Sequence, residues 1–308
     1  MNTQPTAQHN AGSGPNEDGD DGRSRLGRIL RAPLGWALAG MAGVGLVSAL
    51  TATGPGPVPA LGAVAAVAVY WVVMRRVAGR ATPEVARRGA GREVLYGGAI
   101  GLVFVLVSAL LITMFGGYSF SWAGNGFLSV IWSAAMLQTG AAVTEELMFR
   151  GFALQALEQR WGSRAAIVIT GLLFGVAHLG APGAGVWSAL AIALEAGAML
   201  GVAFLWRRNI WFVASLHFVW NTSEQLLGIP VSGHTPQGLF TVDTHGSALL
   251  NGGAFGLETS IVPVLISVLL ILVMFVLAGR SGGLRTRRAA RAEKDRSTGH
   301  LLTEGGEK

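Results

Sequence analysis

The chain has 308 residues, 51% hydrophobic and only 13% charged, and its mean hydropathy is +0.49. Soluble domains carry about a quarter charged residues, so this composition excludes an ordinary soluble protein and points to a polytopic membrane protein. Cysteine is absent, which excludes disulfides, thiolate metal sites, iron–sulfur clusters and a cysteine nucleophile together. The net charge of +6 reads as a topology signal, and no nucleic-acid partner is expected.

Residues 1–32 are polar, with Glu17, Asp18, Asp20 and Asp21 offsetting Arg23, Arg25, Arg28 and Arg31. They read as a disordered cytoplasmic tail, and without an apolar h-region no cleaved signal peptide is expected. Eight apolar segments follow, at 34–53, 58–74, 94–115, 126–159, 165–182, 187–206, 210–227 and 260–279. Most match the roughly 20 residues a helix needs to cross a ~30 Å hydrocarbon core. Segments 58–74 and 165–182 are short enough to tilt or re-enter. The fourth would run to about 51 Å, so it is expected to project into the cytoplasm or to break near Gly140. The fold class is thus an all-α transmembrane bundle of about eight spans. Residues 33–280 form its membrane domain, with a core at 126–227, and 281–308 form a basic cytoplasmic tail.

With both termini inside, 22 of the 23 basic residues fall on the cytoplasmic side, and the exception, Arg150, lies within a span. The outside loops 54–57, 116–125, 183–186 and 228–259 hold no Lys or Arg, as the positive-inside rule requires. The basic loops are positioned to touch anionic lipid heads. The Arg to Lys ratio of 21 to 2 fits a GC-rich bacterial genome, so a bacterial cell membrane is the expected location.

Ionisable side chains inside a bilayer are costly and usually mark function. Spans four to seven carry Glu145, Glu146, Arg150, His178, Glu195, His217 and Glu224. Measured from the basic anchors at about 1.5 Å per residue, Glu145 lies about 22 Å deep, His178 about 21 Å, Glu195 about 18 Å, and His217 and Asn221 about 13 and 20 Å. Four helices therefore bring polar groups to similar depths, where one cavity can hold them. Glu146 and Arg150, four apart, can pair across a helix face, a role that is structural under any function. Glu145 is rotated by about 100° and is left to face a cavity. His217 and Asn221 share a face suited to a water or a developing oxyanion. Phe174 reads as packing, and His234, Asp243 and His245 as a solvated external loop. Glu195 and Glu224 are open between cavity lining, pairing with a His and an interfacial position. The Gly and Ala of 196–201 suit close helix packing.

The segments Glu145-Glu146-Leu-Met-Phe-Arg150, Phe174-Gly-Val-Ala-His178 and His217-Phe-Val-Trp-Asn221 resemble, in order, the EExxxR, FxxxH and HxxxN motifs of the CPBP family of intramembrane proteases. That family includes the type II CAAX prenyl proteases and bacterial bacteriocin-processing or self-immunity proteins. The resemblance covers residues 126–227. It implies an endopeptidase acting on a membrane-associated or prenylated protein, in a cavity that opens to the cytoplasm. Glu145 would be the base. His178, His217 and Asn221 would position water or oxyanion, with Glu146, Arg150 and Phe174 in support. It leaves the cofactor open between none and a divalent metal such as zinc on His178 and His217. A non-catalytic scaffold or self-immunity protein and an ion-coupled transporter are the alternatives.

Overall fold

The computed structural model describes Arg25 and residues 27–287. The expectations for the remaining N-terminal residues and for 288–308 lie outside the described residues. The architecture is an all-α bundle. Among the described residues, seven helices are long and apolar enough to cross a membrane: α1 (Pro33–Thr51), α2 (Val58–Val77), α3 (Ala90–Met114), α4 (Phe127–Trp161), α5 (Ser163–Gly180), α6 (Val186–Arg207) and α8 (Ile261–Arg280). Large apolar side chains lie exposed around them, among them Leu38, Leu50, Leu95, Leu110, Leu265 and Leu272. Such a coat would aggregate in water and is what a lipid-facing surface requires.

The eighth expected segment is also a helix, α7 (Ile210–Leu227). Its His217, Asn221, Glu224 and Gln225 lower its apolarity, and all four are buried. Asn209 caps its first turn, accepting from the Phe212 amide at 3.2 Å. α7 lies against α3 through a close approach, since a Cβ at Gly97 or Gly101 would strike the backbone carbonyl of Phe212 or Leu216. Small residues four apart bring helix backbones together where lipid supplies no hydrophobic drive. Phe104 and Trp220 fill the rest of that seam edge to face, their centroids 4.8 Å apart.

Helix α4 does not break at Gly140; it runs continuously from Phe127 to Trp161. Gly140 is instead where α2 comes closest, at the Pro59 backbone and ring. The irregularity comes later, as a π-helical stretch at Leu147–Leu154. Helix α6 carries a second, Ala193–Met199.

The two ends of the bundle differ in chemistry. One gathers the basic termini of the helices into ion pairs. Arg80 bonds Glu84 at 2.7 Å and Gln155 at 2.8 Å, Arg207 bonds Glu93 at 2.9 Å, and Arg208 bonds Glu158 at 2.6 Å. Arg208 takes a left-handed φ of 50° in the tight turn between α6 and α7. At the opposite end the two longer loops fold on each other. Strands β1 (Tyr118–Trp122) and β2 (Phe240–Thr244) pair antiparallel, Tyr118 opposite Thr244 and Trp122 opposite Phe240. Nor is 228–259 merely solvated, for Ile229, Val231, Leu239, Phe255, Leu257 and Glu258 are buried.

Candidate active site

Glu145 and Glu146 are the last α-helical residues before the π stretch of α4. A π turn widens the helix by one residue per turn and is common at functional sites. Arg150 lies inside this stretch and is 1% exposed. Its guanidinium donates to Glu146 Oε1 at 2.8 Å, to the Gly197 carbonyl at 3.0 Å and to the Ala196 carbonyl. Those carbonyls belong to the second π stretch, where the ladder leaves oxygens to be shared. Arg150 also lies 5.1 Å from the centre of the Phe174 ring.

The buried Glu146 carboxylate takes a second partner, the His217 ring, at 2.9 Å from Nδ1. A carboxylate only accepts, so His217 Nδ1 carries the proton and Nε2 is its free nitrogen. The same logic applies to His178, whose Nδ1 lies 2.9 Å from the Phe174 carbonyl. The His178 ring stacks on Phe174, centroids 4.6 Å apart and planes 22° from parallel. Phe174 in turn meets Phe149 edge-on at 4.7 Å. A chain of contacts therefore fixes both imidazoles: α7 is held by Glu146, Glu146 by Arg150, and Arg150 against the ring that orients His178.

Glu145, His178, His217 and Asn221 all line one cavity of about 330 Å³. Glu145 stands beside the ion pair without joining it, as its rotation predicts. The floor and wall also include Gln138, which donates to Gln225 at 2.9 Å and ties α4 to α7. Gln138 lies seven residues before Glu145, a two-turn spacing that could have marked it. The upper wall is built by Thr53, Ala181, Ser232, His234, Pro236 and Glu258. Glu258 accepts from the Ser232 amide at 2.8 Å and from its hydroxyl at 3.0 Å. Burial pushes the Glu258 carboxyl up to about 7 against these hydrogen bonds.

Several other residues stand apart. Glu195 and Glu224 are fully buried but do not line the cavity. Trp220 Nε1 donates to Glu224 at 2.9 Å. His245 meets the Ser119 hydroxyl at 3.0 Å, while His234 joins the cavity mouth. Among the described residues no three His, Asp or Glu side chains converge as a metal ligand set. His178 and His217 by themselves supply two of the ligands that a zinc ion takes.

Fold and cavity together define an integral multi-pass membrane protein with a polar site inside its bundle. Residues 127–223 match the family model described as type II CAAX prenyl endopeptidase, Rce1-like. This stretch, about a third of the chain, is what the protein has in common with that family of membrane proteases. The match takes in all three motifs and stops short of Glu258 and β2. No curated protein and no solved structure matches the chain.

Proposed function

We propose that the protein is an intramembrane endopeptidase in which Glu145 activates a water molecule. The reading rests on one observation: Glu145, His178, His217 and Asn221, from three helices, line a single cavity. Glu145 takes a proton from the water as its oxygen attacks the peptide carbonyl carbon. The water's second O–H donates to the free Nε2 of His178 or His217, which aims it. The Asn221 amide donates to the oxyanion that forms. Collapse breaks the C–N bond, and Glu145 returns its proton to the departing amine. The products are a new carboxyl terminus and a new amino terminus. Glu146 and Arg150 touch no reacting atom in this scheme; they are positioning residues that hold His217 and the α4–α6 crossing.

The test compares cleavage of membrane polypeptides by the intact chain and by Glu145→Gln in the same bilayer. Loss of a general base costs about 10²–10⁴-fold in rate, and the loss should persist whether or not a strong metal chelator is added to the wild-type control. Wild-type activity that vanishes with the chelator and returns with zinc would overturn the metal-free scheme. Unchanged cleavage or biological effect in Glu145→Gln would favour a protein that binds without cutting.

A further inference from the structure

The cavity and the arginines belong to opposite ends of the molecule. From Glu145 the lining passes through Ala141, Gln138 and Leu137 along α4, toward the start of that helix. It ends among Thr53, Ala181, Ser232 and Pro236, in the turns that carry no Lys or Arg. No lining residue comes from the end where Arg80, Arg207 and Arg208 form their ion pairs. An excess of Lys and Arg in short loops marks the cytoplasmic face, and here every described basic residue except Arg150 lies at or beyond the end away from the mouth. The cytoplasmic opening implied by the family resemblance and the positive-inside topology cannot both hold for this bundle, and the charge distribution decides for the topology.

The lining adds a second constraint. It contains no Lys or Arg, and Arg150 is already committed to Glu146 and to two carbonyls. A chain-terminal carboxylate entering a low-dielectric cavity needs a cationic partner, and it would meet no Lys or Arg there, only the imidazoles of His178, His217 and His234. The uncharged backbone of an internal segment makes no such demand. We infer that the mouth opens on the extracytoplasmic side and that the substrate is an internal segment of an exported or membrane-spanning polypeptide presented from that side. The substrate half of this inference rests on the peptidase reading of Glu145; the orientation of the mouth does not.

The absence of cysteine makes the test direct. Single variants Thr53→Cys and Thr235→Cys, at exposed positions of the mouth turns, and Arg88→Cys, exposed at the basic end, are treated in intact cells with a membrane-impermeant maleimide. Thr53→Cys and Thr235→Cys should label in intact cells, and Arg88→Cys only after permeabilisation. The reverse pattern would overturn the inference, and the two mouth variants guard against one failing to insert. Peptide termini are then compared between cells carrying the wild-type chain and cells carrying Glu145→Gln. Glu145-dependent termini should map to extracytoplasmic or membrane segments. Termini three residues from the ends of cytosolic proteins would overturn the substrate class. If no Glu145-dependent terminus appears, the peptidase reading falls and takes the substrate class with it, while the labelling still fixes where the mouth lies.

Discussion

Glu146 carries no exposed surface, yet it answers two donors, Arg150 at 2.8 Å and His217 at 2.9 Å. Removing one partner of a buried pair strands the other charge, which typically costs about 3–5 kcal/mol. Glu146→Gln should therefore unfold at distinctly lower temperature in detergent. Glu145→Gln, one residue away and outside the ion pair, should unfold near the wild-type temperature. Thermal melts of the purified variants check this, and equal destabilisation by both would refute the division of roles. At this scale much was readable in advance. The i,i+4 spacing of Glu146 and Arg150 and the rotation of Glu145 away from it follow from helix geometry alone. The His217 partner of Glu146 did not, because it joins helices 71 residues apart and no local spacing encodes it. Phe174 packs, as its spacing suggests, and in doing so it sets the plane of His178.

Among the elements, the seam between α3 and α7 carries the strictest steric demand. Gly101 faces the Leu216 carbonyl directly, and a backbone oxygen cannot rotate away as a side chain can. Overpacking typically costs about 1–3 kcal/mol, so Gly101→Val should destabilise the bundle by at least that much. It should also depress cleavage, since His217 follows Leu216. Gly91→Ala, on the same helix with open space around it, should be neutral in both thermal stability and activity; a neutral Gly101→Val would show the seam to be loose. The apolar segments announced their helices because each is long and uniformly hydrophobic. The two π stretches were not announced, because a widened turn is chosen by tertiary partners such as the Arg150 guanidinium rather than by composition. Nor was the β1–β2 pairing, whose strands lie more than a hundred residues apart and are five residues each. Gly140 illustrates the converse: a residue that looked like a break is a place where another helix comes close.

For the whole molecule, Glu258 links stability to pH. Its carboxyl sits near 7 instead of the ordinary 4.5, chiefly through burial. Between those values the folded chain holds a proton that the unfolded chain has released. Stability contributed by this group is thus full below about 4.5, declines as pH rises through 7, and is flat beyond. The swing is on the order of 3 kcal/mol at about 1.4 kcal/mol per pH unit. Melting temperatures measured from pH 5 to 8 should fall with rising pH, and Glu258→Gln should flatten that part of the profile. A profile identical in the variant would assign the dependence elsewhere.

The polarity of α7 also bears on how the protein is made. A segment with His217, Asn221, Glu224 and Gln225 in 18 residues pays too much to enter lipid by itself, since central polar and charged residues each disfavour insertion. It follows α6 through a two-residue turn and leans on the glycine face of α3, which has been synthesised long before. Biogenesis must then hold α3 at the translocon exit until α7 emerges, so that the helix carrying half of the proposed catalytic groups is delivered to a protein surface and never meets acyl chains alone.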